Sequence, residues 1–315
     1  VRDLLRECLR ATYESLDASG PHDTTVWVVD NASTDGSAEM VAAAFPQATL
    51  RASPSNLGFA GGNNLALREL GFGKRADAAV RKPDLVLLLN PDAEPQKDAI
   101  RQMAGFLGTH PAAGGAGAQL SYPDGRFQHG AFAFPDLKQL WFDLFSVWPR
   151  RLLDGRLNGR YPRALYAAGQ PFPVDFVLGA ALMTRREAID AVGLMDEGYF
   201  MYAEEVDWCW RMQQAGYPFY CVPAAHVIHH GGASASQFRV RSYVNLWRSR
   251  RRLYGRFYGP WRRAAAARIV QLGMGAEASR AHRAAAHGEI EENELAQRLA
   301  AAKEVAQLFT EINPA

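Results

Sequence analysis

"TTVWVVDNASTDGS", residues 24–37, sets the fold class. A run of β-branched and aromatic residues ends at Asp30, and the polar cluster after it is turn chemistry leading into a helix from about Ser37 to Phe45. The order then repeats. "ATLRAS" (48–53) is a weaker strand running into "NLGFAGGNN" (56–64) and a helix from about Asn64 to Leu70. "DLVLLLN" (84–90) is a buried strand, followed by a helix over 98–108. Upstream, residues 2–16 place Leu4, Leu5, Cys8, Leu9 and Leu16 largely on one helical face. This alternation predicts an α/β layer fold with a largely parallel central sheet flanked by helices. In such sheets ligands gather at the carboxyl ends of strands, where Asp30, Asn56 and Asp92 fall.

A chain of 315 residues is long enough for one large core or two modest ones. Its 35 basic and 33 acidic residues leave a formal charge of +2, so there is no global attraction to nucleic acid, and none is expected as a partner. The three cysteines Cys8, Cys209 and Cys221 are widely spaced, which disfavours a disulfide framework and shows no zinc spacing. A reducing, cytoplasmic setting fits them. No apolar run approaches the roughly 20 residues of a membrane span.

Residues 130–170 show little period and read as a mobile excursion or lid within a domain spanning 1–236. Order returns with "VDFVLGAALMTRREAIDAVG" (174–193): a strand, then a helix from about Arg186 to Val192 ended by Gly193. "EEVDWCWRMQQAG" (204–216) is a second helix stopped by Gly216, and "YPFYCVPAAHVIHHGG" (217–232) contains two short strands. From 237 to 315 a helical extension is expected, first Arg-rich and aromatic, then an Ala/Glu-rich helix from about Glu277 to Phe309.

Four stretches carry chemistry. Asp92 and Glu94 lie two apart between Pro91 and Pro95, so on an extended segment they could share one hard cation, while the same residues also make a good turn. Glu204, Glu205 and Asp207 sit among Tyr199, Phe200, Tyr202 and Trp208. In a helix starting near Glu204, Glu204, Asp207 and Arg211 form an ion network, leaving Glu205 free to point elsewhere. Partial desolvation there raises a carboxyl pKa towards the range of a general base. His229 and His230 precede two glycines, which lets an imidazole meet a ligand. The loop 56–64 could hold phosphate on backbone donors, although it matches neither common phosphate-binding glycine motif.

Taken in order, "VVDNASTDGS", "NLGFAGGNN", "LLLNPDAE", "GAALMTRREAIDAVGLMDEGYFMYAEEVDWCWR" and "HVIHHGGAS" closely resemble the family 2 glycosyltransferases of the GT-A fold. The nearest branch resembles the bacterial rhamnosyltransferases of polysaccharide and cell-wall assembly. The resemblance implies that Asp30, with Asn31 beside it, recognises the base or ribose of a nucleoside-diphosphate sugar. It implies that Asn56, Gly58 and Asn64 line the diphosphate pocket. The acidic metal motif falls on Asn90-Pro91-Asp92, with Asp92 a ligand of Mg2+ or Mn2+, Glu94 a second or water-mediated one, and His229 a late one. Glu205 is the implied base, with Glu204 and Asp207 as alternates.

The implied reaction is an inverting transfer, first of L-rhamnose from dTDP-L-rhamnose, to a glycan or lipid-linked acceptor. Galactofuranose and N-acetylglucosamine are the alternative sugars, and a non-catalytic sugar-nucleotide or glycan-binding module is the alternative class. The family's first strand would lie before residue 1, so one strand and its turn are expected to be missing beside "TTVWVVD". The basic, aromatic segment 237–263 suits either an anionic membrane surface on the inner face of the cell membrane or a helix packed on its neighbours.

Overall fold

A computed structural model describes residues 1–18, 23–73, 80–145, 155–231 and 239–310. The chain runs α1 (Arg2–Asp17), β1 (Trp27–Asp30), α2 (Ser37–Ala44), β2 (Thr49–Ala52), α3 (Gly58–Glu69), β3 (Leu85–Leu89), β4 (Ala93–Pro95) and α4 (Ala99–Thr109). It continues with β5 (Gly115–Ser121), β6 (Phe127–Gln128), β7 (Ala131–Phe132), α5 (Leu137–Leu144), α6 (Arg163–Ala167), β8 (Phe172–Val174), β9 (Phe176–Val177) and β10 (Ala181–Arg185). The remaining elements are α7 (Arg186–Val192), α8 (Glu204–Gln214), β11 (Phe219–His229), α9 (Arg239–Phe257), α10 (Pro260–Ala286) and α11 (Glu292–Leu308).

The chain divides into two compact units. The first comprises Val1–Phe134, Tyr161–Phe200 and Glu204–Ser234, and the second Pro135–Arg160, Met201–Ala203 and Ala235–Ala315. The excursion expected inside the first domain thus contributes α5 to the second unit. Residues 146–154 of that excursion lie outside the described residues.

In the first unit the main sheet has the order β3-β10-β5-β11-β4, with β6 on β5 and β8 on β11. It is mixed. Only β5 and β11 pair in parallel within it, and β1 with β2 outside it; β10 runs antiparallel to both β3 and β5. The expectation of a largely parallel sheet fails here because β10 is reached through the short strands β8 and β9 instead of a single strand-helix-strand crossover from β5. Among the described residues β1 pairs with β2 alone, and its other edge carries no strand.

Periodicity explains the core. On α4, Ala99, Met103, Phe106 and Leu107 are buried at helical spacing, and they pack with Ala116, Ala118 and Leu120 of β5 and Val222 and Val227 of β11. In β3, Val86 and Leu88 are the buried alternate residues. Arg185 closes the C-terminal end of α4, donating to the carbonyls of Leu107, His110 and Ala113. Helix α7 stops at Gly193, whose φ of 77° only glycine adopts freely.

Where two short strands were expected over 217–232, β11 is a single bulged strand. Val222 pairs with Ala118 and His226 with Gln119, so residues 223–225 bulge out, with Pro223 where its missing N–H costs no ladder bond.

The second unit packs α5 with α9, α10 and α11. A side chain at Gly273 of α10 would run into Leu144 of α5, and Tyr258 Oη donates to the Pro135 carbonyl at 2.7 Å. The Ala/Glu-rich stretch expected as one helix is two, broken around Gly288 at φ 72°. Trp247, Tyr254 and Tyr258 are buried, so these aromatics of the basic segment belong to this unit's core. Among the described residues no helix is long and apolar enough to cross a membrane.

Candidate active site

The end of β11 pairs antiparallel with β4, placing His229 opposite Ala93. Asp92, immediately before β4, is thereby brought beside the imidazole, with 3.4 Å between its Oδ1 and His229 Nε2. Both side chains are buried. Burial pushes the Asp92 pKa up, but the hydrogen bond and charge of His229 outweigh it and hold the carboxyl below its ordinary value. Asn90 joins them, its Nδ2 3.4 Å from His229 Nε2.

Glu94 does not share this site as the spacing suggested. Its Oε1 meets His230 Nε2 at 2.8 Å, so the acids form two separate pairs, Asp92 with His229 and Glu94 with His230. The reason is local: Pro91 and Asp92 form a turn, and the two-residue alternation of an extended strand starts only at Ala93.

Gln128 was not singled out from the sequence. From β6 its Oε1 accepts from His229 Nδ1 at 3.2 Å. An amide oxygen can only accept, so this bond holds a proton on Nδ1 and turns Nε2 towards Asp92. The dipeptide strand that carries it has no periodicity to read.

The glycine loop is a helix start. Helix α3 begins at Gly58, six residues before the expected Asn64, and its entry is tied by amides. Asn31 Nδ2 donates to Asn56 Oδ1 at 3.1 Å and to the Gly58 carbonyl at 3.0 Å, while its Oδ1 accepts from Leu57 N at 2.7 Å. Asn56 Oδ1 also accepts from Gly58 N at 2.9 Å. Gly58 has φ 72°, and a Cβ there would collide with the Phe200 carbonyl that receives the Phe59 N–H. Asn64 is fully buried and faces away from this entry: it bonds the Met195 backbone and Glu197. Asn31 and Asn64 thus brace the chain, and Asp30 stays at the end of β1, accepting from Ser33 N at 3.3 Å.

Helix α8 starts at Glu204, directly after Tyr202 and Ala203, two consecutive non-glycine residues with φ of 72° and 64°. Such left-handed residues cost of order 1–3 kcal/mol each and tend to mark functional turns. Asp207 is fully buried and accepts from Arg211 Nε at 2.6 Å and Tyr199 Oη at 3.2 Å, while Arg211 also donates to the Val192 and Leu194 carbonyls. That network excludes Glu204, contrary to the helical-face expectation, and it removes Asp207 from the candidate bases. Glu204 Oε2 and Glu205 Oε2 are buried with no hydrogen-bond partner among the described residues. Burial, and then the neighbouring Glu205 charge, push the Glu204 pKa well up; burial raises that of Glu205.

Residues 178–180 connect these parts. The Ala180 carbonyl accepts from Asn90 N at 3.1 Å. A Cβ on Gly179 would lie 3.1 Å from Phe59 Cζ and 3.8 Å from Glu205 Cβ. The Asn90 backbone, Phe59 at the start of α3 and the Cβ of Glu205 therefore all border one dipeptide.

Comparison with known proteins identifies the family. The sequence pattern described as Glycosyl transferase family 2 matches residues 2–193. The chain is 29% identical over 225 residues to an N-acetylglucosaminyl-diphospho-decaprenol L-rhamnosyltransferase of Mycobacterium tuberculosis, covering 71% of this chain and 72% of that protein. It is 40% identical to the rhamnosyltransferase WbbL of Escherichia coli over 70 residues, 22% of this chain and 26% of WbbL. Among solved structures, the mannosyltransferase PcManGT of Pyrobaculum calidifontis, in complex with GDP-Man and Mn2+, is similar with a TM-score of 0.53 and 18% identity, over 98% of this chain and 84% of that one. At that identity the likeness speaks for the fold alone. With the family pattern spanning α1 to α7, more than half of the chain, the chain belongs to the family 2 glycosyltransferases and has their GT-A fold.

Proposed function

We propose that the protein transfers L-rhamnose from dTDP-L-rhamnose to a hydroxyl of a glycan or lipid-linked acceptor, with inversion at the anomeric carbon. The observation that supports the transfer chemistry is the Asp92–His229 pair together with Glu205, whose Oε2 is buried without a partner among the described residues and whose Cβ packs beside Gly179, next to the Ala180 carbonyl that receives Asn90 N–H. The rhamnosyl donor is supported by the mycobacterial relative, whose name also specifies a lipid-linked acceptor. Such an acceptor would bring the chain to the inner face of the cell membrane.

The residues fit a divalent cation. Asp92 offers a carboxylate held in its charged form, and Gln128 orients His229 so that Nε2 is turned to the same place. Among the described residues no third His, Cys, Asp or Glu converges on them, so donor diphosphate oxygens and water must complete a shell of about six. When bound, Mg2+ or Mn2+ neutralises the charge developing on the departing diphosphate as a Lewis acid. No protein general acid is then needed.

Asp30, at the carboxyl end of β1, and Asn56, in the loop after β2, would meet the nucleotide, with Gly58 shaping the loop. Glu205 takes the proton of the acceptor hydroxyl as its oxygen bonds to the anomeric carbon. The bond from that carbon to the diphosphate breaks, and its electron pair leaves with the phosphate. A carboxyl raised by burial is the better-matched base near neutral pH.

The test is a donor screen read by nucleoside diphosphate release. dTDP-L-rhamnose should be used, EDTA should abolish turnover, and Glu205→Gln should lower it roughly 100- to 10,000-fold. Turnover that survives both EDTA and Glu205→Gln would sink the mechanism.

A further inference from the structure

Residues 237–276 contain ten arginines and no lysine, aspartate or glutamate. Arg248 and Arg250 are neutralised within the second unit by Glu304 and Asp143. Among the described aromatic residues around them, Trp247, Tyr254 and Tyr258 are buried and Tyr243 and Phe257 half-buried. Trp261 is the exception: it is 69% exposed at the start of α10, and Leu272 on the same helix is 61% exposed.

Those two positions fall on one stripe. At about 100° per residue, eleven residues turn about 20° past three full turns, over roughly 16 Å of helix. Arg268 lies within about 20° of Trp261 on the same side, and Arg283 within about 40°. Trp261, Arg268, Leu272, Gly275, Ser279 and Arg283 are all exposed, whereas Ala266, Ala267, Val270, Gly273, Met274 and Ala281 face the second unit's interior. Arg262 flanks the stripe, its guanidinium over the rings of Tyr258 and Trp261. The helix's only acid, Glu277, sits on the other side, tied to Arg280 and Arg298.

We propose that this face of α10 is a membrane-docking surface for an anionic lipid bilayer, with Trp261 and Leu272 entering the interface and Arg262, Arg268 and Arg283 meeting the headgroups. An exposed tryptophan and leucine on a helix face bearing only positive charge combine the apolar and electrostatic contributions that such binding needs. Charge complementarity selects the occupant. An acid-free basic face repels a second copy of itself, and the exposed apolar side chains would gain nothing from a free phosphate. The surface is independent of the sugar chemistry proposed above, because it lies outside the unit that carries Asp92 and Glu205.

Flotation of the full chain with vesicles tests it. Phosphatidylcholine vesicles containing phosphatidylglycerol should carry the protein, and pure phosphatidylcholine vesicles should not. Arg268→Glu with Arg283→Glu should weaken partitioning by at least about five-fold per position, following the usual contribution of one basic residue near an anionic surface. Trp261→Ser with Leu272→Ser should abolish flotation while leaving the melting temperature unchanged, since both side chains are exposed. Brominated lipid should quench wild-type tryptophan fluorescence but not that of Trp261→Phe. Equal binding to both vesicle types, or flotation unaffected by either pair of substitutions, overturns the proposal. Glu205→Gln should still float, so failure of the catalytic reading and failure of this one are distinguishable.

Discussion

Replacing Gln128 by leucine keeps most of the side-chain volume and removes the acceptor of the His229 Nδ1 proton. The imidazole is buried, so that N–H is left without water or a replacement partner. An orphaned buried donor costs about 1–3 kcal/mol. The ring can escape the cost by turning or by giving up the Nδ1 proton and keeping one on Nε2, and either change leaves Nε2 less able to ligate a cation beside Asp92. At about 1.4 kcal/mol per decade, Mn2+ affinity should fall roughly 5- to 100-fold, in line with the usual effect of removing a residue that orients a metal ligand.

Free Mn2+ measured by its electron paramagnetic resonance signal, during titration of protein with dTDP, reads this without turnover. Gln128→Glu keeps an oxygen in place and should recover most of the affinity. The reasoning is refuted if Gln128→Leu binds within about twofold of wild type, or if Gln128→Glu is as weak as the leucine variant. A wild-type chain that binds no Mn2+ would instead remove the metal reading itself.

Burial and the Glu205 charge raise the Glu204 pKa in the folded protein, so over the window from about pH 4 up to that value the folded state binds more protons than the unfolded one. The stabilisation is complete below the unfolded pKa and declines as pH rises through the folded one; Glu204→Gln should flatten that decline in urea-unfolding free energies, and an unaltered slope refutes the assignment. Gly58→Ala must adopt a left-handed φ and displace the Phe200 carbonyl, which together should cost about 2–3 kcal/mol by thermal or urea unfolding. Gly105→Ala, in α4 with open space around it, should be neutral or slightly stabilising; equal losses at the two glycines would refute the steric account.

The strand and helix order of the first unit was legible because each element has a period and a stop: α7 ends at Gly193, and α8 begins at Glu204, as their residues indicate. The start of α3 was not. Gly58, Gly61 and Gly62 have poor helix propensity and read as loop, but packing overrides propensity, since side chains at 61 and 62 would press on Leu57 and Asn31. Sheet direction was also hidden, because the antiparallel course of β10 depends on where a long connection returns. Asp92, Glu205 and His229 stood out through the order of motifs. Which acid pairs with which histidine did not, because it is settled by a two-residue turn at 91–92 and by the register of β4 on β11. Gln128 had no sequence signal, since its meeting with His229 joins residues 101 apart in the chain.

The bulge at 223–225 gives the His229-His230 doublet a meaning in terms of insertions and deletions. Loss of one bulge residue, with the upstream pairing to β5 kept, would slip the end of β11 by one step and bring His230 opposite Ala93. An imidazole would still stand beside Asp92, while Gly231 would take the place of His230 and Glu94 would lose its side-chain partner. The doublet therefore buffers this edge against the loss of one residue, whereas the loss of two would deliver Gly231 and the gain of one Ile228, neither of them a ligand. Among related chains, a bulge shorter by one residue should accordingly be tolerated before one that is longer by one or shorter by two.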